Sequence, residues 1–345
     1  MNWRETVDSL LETMVALGVI IGGTQQLYAA QDSHWSDPSP HTVQFVSVAQ
    51  AVELEVLDWG GAGVPIVLLA GSGLSAHVYD EFAPALTDAG HVYGITRRGY
   101  GNSSHPTTGY DNQQLAGDVL EVLEKLRLVR PILVGHSMAG SELTTIGSEY
   151  SDRIRGLIYL DALGDPRDME ASDRRFRQAL QKLPSTGKAP PTPEEARSFS
   201  GFREWQLRTD KFVLPESELR TIFATNPDGS MGKPVAFNGA NGAVFAGEMK
   251  RDYSGIRVPV LAILEFPRFE PQADDQPKTE EEFERIFEVS VLHAIYVFRW
   301  IDNLQRSVPD ARIVNVPDGG HYLFLTKPAE VARQIRKFVS ALPGK

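Results

Sequence analysis

Two short stretches of this chain set chemically capable side chains in turn-forming surroundings. In Pro131-Ile132-Leu133-Val134-Gly135-His136-Ser137-Met138-Ala139-Gly140, three apolar residues run into a glycine-flanked turn that carries a serine. A helical pattern follows, with Leu143, Ile146 and Tyr150 on one face. A serine on a sharp strand-to-helix turn holds its hydroxyl out of the sheet, beside free backbone N–H groups that can stabilise an anion. That is the setting of a nucleophilic serine. The pattern departs from G-x-S-x-G, because Ala139 takes the last glycine position and Gly140 follows one residue later. The second stretch is Asp318-Gly319-Gly320-His321-Tyr322. An imidazole in such a loop can take a proton from a serine hydroxyl and return it to a leaving group. On these residues alone, the competing reading of Ser137 is an ordinary strand–turn–helix junction.

The elements that must position these side chains read as an α/β alternation. Thr42 to Val48 and Val52 to Leu57 suggest an opening antiparallel pair. Pro65 to Leu69 is a continuous apolar run of buried-strand type, ending in the loop Ala70-Gly71-Ser72-Gly73. A helix is expected over Tyr79 to Ala89, a strand over His91 to Ile95, and an amphipathic helix through Leu115, Val119, Val122, Leu123 and Leu126. Gly156 to Leu160 is another buried strand and ends at Asp161; Val258 to Leu264 and Arg312 to Val316 complete the set. Glu280 to Leu304 reads as a helix with Phe283, Ile286, Phe287, Val291, Ile295 and Phe298 on its apolar side, and a closing helix follows Pro328. Such alternation predicts a mostly parallel sheet with helices on both faces, whose ligands bind outside the carboxyl ends of the strands. Ser72, Ser137 and Asp161 all fall at such ends. From Ala162 to Tyr253 the strand pattern stops, and this segment reads as an inserted helical cap. Its Phe199, Phe202, Trp205, Phe212 and Phe223 are expected mainly to pack the cap rather than to line a pocket. The expected organisation is an N-terminal segment and linker over 1–41, a core over 42–161 and 254–345, and the cap over 162–253.

Composition narrows the function classes. A net charge of −11 argues against a nucleic-acid partner. With no cysteine, disulfides, thiolate catalysis and Cys-ligated zinc are excluded. No His and carboxylate spacing suggests metal ligands, and no metal or cofactor is expected. Met14 to Gly23 is an apolar run of signal-peptide length, too short to span a bilayer, and Tyr28-Ala29-Ala30 could precede a cleavage point. Glu5, Asp8 and Glu12 outnumber Arg4, against the usual positive leading region. The polar linker from Gln31 to His41 tips the reading toward a secreted or periplasmic protein over a cytoplasmic one, with no stable membrane span.

Taken in order, the Ala70-Gly71-Ser72 loop, Arg98-Gly99-Tyr100-Gly101-Asn102-Ser103, Gly135-His136-Ser137-Met138-Ala139-Gly140 and Gly319-Gly320-His321 resemble the α/β-hydrolase superfamily in its esterase- and lipase-like branch with a helical cap. The resemblance runs from about Val43 to Leu342. It implies an α/β-hydrolase fold, Ser137 as nucleophile, His321 as general base and acid, and an oxyanion hole from the backbone N–H groups of Ser72 and Met138. The family's oxyanion loop usually carries a histidine where Ala70 stands. The usual acid after the penultimate strand is also missing, since Ile263-Leu264-Glu265-Phe266-Pro267-Arg268 puts arginine at that position. A minority of the family, including haloalkane dehalogenases, places the acid one strand earlier, where Tyr159-Leu160-Asp161-Ala162 stands. Asp161 is therefore the expected triad acid and Glu265 the alternative. A nucleophilic aspartate would mark a dehalogenase or an epoxide hydrolase, and serine at 137 argues against both. The activity implied is carboxylic ester hydrolysis of a small ester-like substrate, without a cofactor. Hydrolysis of amide, lactone or carbon–carbon bonds, a perhydrolase side activity, or ligand binding with little turnover are the alternatives. His136 is expected to pack beneath the turn, His77 to lie at the site mouth or the surface, Arg97 and Arg98 to pair with acidic neighbours, and His293 to be a packed or exposed helix residue.

Overall fold

The computed structural model describes residues 35–164, 178–179, 189–210, 212–235, 240–247, 251–267 and 279–342. The apolar run and cleavage point behind the export reading lie outside these residues, as do most of a helical stretch expected over Arg174 to Lys182 and an acidic, proline-containing loop expected over Gln272 to Lys278. No described helix is long and apolar enough to cross a membrane.

Among the described residues, eight strands form one sheet: β1 (Thr42–Ala49), β2 (Val52–Gly60), β3 (Pro65–Leu69), β4 (His91–Ile95), β5 (Ile132–His136), β6 (Gly156–Leu160), β9 (Val260–Leu264) and β10 (Arg312–Asn315). Their order is β1-β2-β4-β3-β5-β6-β9-β10. The first two pairings are antiparallel and the remaining five parallel. The parallel strands are apolar throughout because both faces are covered. Ile66, Leu68, Ile132, Val134, Ile158, Leu160, Leu261 and Ile263 face one core cluster, while Val67, Leu69, Leu133, Leu157, Tyr159, Val260, Ala262 and Leu264 face the other. Helices α1 (Asn112–Lys125) and α2 (Ala139–Glu149) cover the second face through Val119, Val122, Leu143 and Ile146. The first face is closed by Phe324, Ile335 and Phe338 of the C-terminal helices α7 (Leu323–Thr326) and α8 (Pro328–Ala341).

Between β6 and β9 come α3 (Phe199–Thr209), α4 (Glu216–Ile222), a hairpin of β7 (Phe223–Thr225) and β8 (Met231–Pro234), and α5 (Ala240–Gly247). The hairpin is a correction, since no strand was expected here. Its turn is Asn226-Pro227-Asp228-Gly229-Ser230, with Gly229 at φ 81°, a backbone that favours glycine. Phe199, Phe202, Trp205, Phe212 and Phe223 are all buried and belong to the first-face cluster. Arg220 of α4 lies over the rings of both Trp35 and Phe199, 4.4 and 4.2 Å from their centroids. That stacking ties the arm before β1 to α3.

Two other expectations are corrected. Tyr79 to Ala89 is not one helix but two single 3₁₀ turns, Ala76–Tyr79 and Ala83–Leu86. Pro84 lacks the N–H a continuous helix would need and would clash with the preceding turn. In α6 (Glu280–Ser307) the buried side chains are Ile286, Val289, Leu292, Ala294, Tyr296, Val297, Ile301 and Leu304. Phe283, Phe287, Ile295 and Phe298, expected on the inner face, are exposed. Apolar residues surround much of this helix, so spacing alone does not select the packed face.

Two helical glycines separate packing need from helix propensity. A methyl group at Gly140 would fall 2.0 Å from the Ala162 carbonyl oxygen, where the chain leaves β6, whereas nothing lies within 4 Å of one at Gly117 in α1. Gly140→Ala should therefore destabilise the protein by about 1–3 kcal/mol. Gly117→Ala should stabilise it by about 0.5–1 kcal/mol. Urea unfolding of both variants checks this; equal effects would mean that α2 does not press on the end of β6.

Candidate active site

Ser137 follows the last residue of β5 with a left-handed backbone, φ 54°. A non-glycine residue there costs about 1–2 kcal/mol, so its surroundings must hold it. They do so through the neighbouring strand and the following helix. The Ser137 N–H donates to Leu160 O at 3.2 Å, Gly140 N–H donates to Ser137 O at 3.0 Å, and Ser141 N–H donates to Met138 O at 2.9 Å. Ala139, at the departing motif position, is fully buried.

Asp161 repeats the device one strand over. It follows β6 at φ 43°, and its N–H donates to Ile263 O at 2.8 Å. His321 Nδ1 lies 2.6 Å from Asp161 Oδ2, the length of a charge-assisted hydrogen bond, with both side chains partly buried. The bond commits Nδ1 to the carboxylate and leaves Nε2 for another partner. Glu265, at the end of β9, does not touch that ring nitrogen in any contact described. Its two oxygens accept from the backbone N–H groups of Asp318 at 3.2 Å and Gly320 at 2.7 Å. Glu265 thus holds the loop that presents His321, and Asp318 takes a left-handed φ of 57° within it.

The loop after β3 is fixed from below. Arg97 is bonded twice to Glu142 of α2, Nε to Oε1 at 2.7 Å and Nη2 to Oε2 at 2.6 Å. The same guanidinium donates to Ala70 O at 3.0 Å and Gly71 O at 3.4 Å. In a trans peptide the carbonyl and the next N–H point in opposite directions. Turning the Gly71 carbonyl onto Arg97 therefore aims the Ser72 N–H away from it. Burial opposes the Arg97 charge, and the Glu142 carboxylate outweighs that cost and holds the guanidinium charged. Arg98 is paired separately with Asp118, Nε to Oδ2 and Nη2 to Oδ1 both at 2.5 Å. The Tyr100 phenol interacts with the Ser72 side chain. Met138 packs with Tyr100, Tyr110, Leu115, Ala240 and Val244.

Two further imidazoles adjoin His321. The ring centroid of His136 is 4.6 Å from that of His321, and its Nε2 lies 3.0 Å from the His321 carbonyl oxygen. A carbonyl only accepts, so Nε2 carries the hydrogen. Burial, reinforced by repulsion from His321, pushes the His136 pKa well down. His293 of α6 is held down to about 4 by burial, with His321 acting in the same direction and Asp161 against it. Its charge couples to both residues of the pair, a placement the sequence did not reveal. The signal was present only as spacing, because Val289, Leu292, Tyr296 and Trp300 share one side of α6 with His293. On the other flank, Phe212 stacks on Tyr322, with centroids 4.4 Å apart. His77, expected at the site mouth or the surface, is buried.

A model described as the alpha/beta hydrolase family matches residues 66–334. A non-heme chloroperoxidase of Kitasatospora aureofaciens is 36% identical over 126 residues, 36% of this chain and 44% of that protein. Epoxide hydrolase A of Mycobacterium tuberculosis is 32% identical over 130 residues, 36% of this chain and 40% of that protein. The chain thus spans about two fifths of the length of the curated relatives it matches. The crystal structure of E-2-(acetamidomethylene)succinate hydrolase covers 87% of this chain and 100% of its own, with a TM-score of 0.62 and 17% identity, a likeness of fold. The sheet order, the turn after β5 and the family match over residues 66–334 all agree, and this chain belongs to the alpha/beta hydrolase family.

Proposed function

We propose that the protein is a serine hydrolase acting on carboxylic esters through an acyl-enzyme. The observation that carries the reading is the 2.6 Å contact between His321 Nδ1 and Asp161 Oδ2, with the His321 carbonyl 3.0 Å from the ring of His136, the residue before Ser137. On this reading Ser137 Oγ attacks the acyl carbon as His321 Nε2 takes its proton. Asp161 fixes the ring tautomer and stabilises the imidazolium. The N–H groups of Ser72 and Met138 receive the oxyanion, and the loss of one such donor typically costs ~100-fold or more. The imidazolium then protonates the departing alcohol. Water, deprotonated by His321, attacks the acyl carbon, and Ser137 and a carboxylic acid are released.

A second reading rests on the similarity to proteins named chloroperoxidases. Hydrogen peroxide in place of water at the second step would take the acyl group and give a peracid, with Ser137 regenerated. The two readings share one acyl-enzyme and differ only in the acceptor.

The neutral imidazoles on either side suit both readings. His136 and His293 stay uncharged at working pH, so neither opposes a positive charge forming on His321.

Incubation with a fluorophosphonate probe should label Ser137, and Ser137→Ala should abolish both labelling and p-nitrophenyl ester turnover. Asp161→Asn should lower kcat on the order of 10⁴-fold. Glu265→Gln should cost far less, since it keeps one accepting oxygen for the His321 loop. A larger loss from Glu265→Gln would reverse the two carboxylates, and absence of labelling would point to ligand binding without turnover. Peroxide-dependent halogenation in acetate is the expected outcome for the second reading, and its absence removes that reading.

The depressed imidazole also sets a pH dependence. Between its ordinary 6.5 and about 4, His293 in the unfolded chain binds a proton that the folded chain does not. Stability should therefore be complete above pH 6.5 and fall as the pH drops toward 4, by up to about 1.4 kcal/mol per pH unit for this one group. Urea midpoints for His293→Gln at pH 7, 6 and 5 should fall less steeply than those of the unaltered chain. Parallel slopes would show that His293 does not contribute.

A further inference from the structure

We propose that Asp37, His41, His77 and Asp80 form a binding site for one divalent transition-metal cation, of the zinc class. None of these residues takes part in the Ser137 site. Asp37 and His41 come from the arm leading into β1, and His77 and Asp80 from the first 3₁₀ turn after β3. The sequence separates the two pairs by more than thirty residues, so no local spacing announced them.

The four side chains offer donor atoms that all lie within 4.8 Å of one another. His77 Nδ1 is 2.8 Å from Asp80 Oδ2 and 3.6 Å from Asp37 Oδ2. His41 Nδ1 is 2.9 Å from Asp80 Oδ1, and its Nε2 is 3.7 Å from Asp37 Oδ2. Donors about 2.0–2.1 Å from a single tetrahedral ion stand about 3.3–3.4 Å apart, inside this range. Imidazole nitrogen and carboxylate oxygen are borderline donors that suit zinc and its neighbours better than calcium.

Two further observations point to an ion rather than a simple ion-pair cluster. The His41 side chain is only 3% exposed, and the neighbour of its buried Nδ1 is the Asp80 carboxylate, 2.9 Å away. Charge is also out of balance. Glu55 and Glu218 are buried against the same group, Glu55 Oε1 at 3.5 Å from His77 Nε2 and Glu218 on Ser75 beside it. Among the described residues no arginine or lysine pairs with any of these four carboxylates. A divalent ion held by the four donors would offset two of these negative charges. The outer contacts are those of a ligated site. The second nitrogen of His77 faces the Glu55 carboxylate, and Asp80 accepts from Ser217 Oγ at 2.5 Å and Ser39 Oγ at 3.1 Å. Because Ser217 belongs to α4, the ion would pin the arm and the post-β3 turn to the inserted segment.

The test uses the full chain without an affinity tag, stripped with dipicolinate and titrated with Co²⁺. One equivalent should produce the visible d–d absorption of a tetrahedral site, Zn²⁺ should bleach it, and either metal should raise Tm. Asp37→Asn and His77→Gln should each weaken cobalt binding by 10-fold or more, while His321→Ala should leave the band intact. Should His77→Gln fail to fold, the partly exposed Asp37→Asn decides alone. No band and no metal-dependent Tm rise in the stripped chain would overturn the proposal, leaving a cluster of imidazole–carboxylate contacts. So would a band that survives Asp37→Asn, or one lost in His321→Ala, which would place the ion at the catalytic imidazole.

Discussion

Everything at the candidate site hangs on the in-register parallel pairing of β5, β6, β9 and β10 at their carboxyl ends. His136 pairs with Leu160, Leu160 with Ile263, and Asn315 with Leu264. The backbone bonds continue one residue beyond the ladder. Ser137 N–H reaches Leu160 O, Asp161 N–H reaches Ile263 O, and Val316 N–H reaches Leu264 O. Each strand end is thus held by its neighbour at the moment the chain turns away. That support lets Ser137 and Asp161 keep left-handed backbones without glycine. It also brings to one rim side chains that enter the chain more than 180 residues apart.

The same register explains how the two carboxylates divide their contacts. β6 lies between β5 and β9, so a side chain leaving β6 stands beside the turn of Ser137. One leaving β9 stands next to the chain emerging from β10. Asp161 accordingly meets the imidazole of His321, and Glu265 meets the backbone N–H groups of Asp318 and Gly320, three residues and one residue earlier. The carboxylate after β9 therefore bonds the loop that carries the ring rather than the ring itself. Beneath the rim, Arg97 couples α2 to the loop after β3. A buried pair such as Arg97–Glu142 is weak support for stability, because desolvation consumes much of the attraction. Its contribution here is geometric, since the carbonyls of Ala70 and Gly71 have one direction left to face.

Most of the sheet was legible because its strands are short apolar runs bounded by turn residues, and both faces bury them. Ser137 and Asp161 stood out because each follows such a run, and His321 because it lies in a glycine-flanked loop after the last strand. The losses have separate physical causes. The face of α6 was misread because Phe283, Phe287, Ile295 and Phe298 are as apolar as the residues that pack, and only tertiary contact decides among them. The β7–β8 hairpin was missed because its strands are three and four residues long, too short for alternation to show. Arg97 and Glu265 act on backbone atoms, and a sequence carries no pattern for a side chain that bonds a distant carbonyl or N–H. Asp37, His41, His77 and Asp80 escaped for the same reason, since two unremarkable pairs become a cluster only when β1 and the turn after β3 are brought together.

Three imidazoles within one small region pose a charge problem that the structure resolves by burial. His136, His321 and His293 are close enough for their charges to be felt, and two protonated rings would repel each other strongly in a poorly solvated space. His321 has its Nδ1 on the Asp161 carboxylate. His136 gives its one N–H to a backbone carbonyl, and burial keeps the proton off its other nitrogen. His293 is pushed to about 4 by burial, although Asp161 pulls the other way. His321 therefore has a bonded carboxylate that favours its charge, while burial disfavours charge on the other two rings. If the imidazolium of acyl transfer forms here, it has a single place to form, and that place was decided by which strand ended in an aspartate.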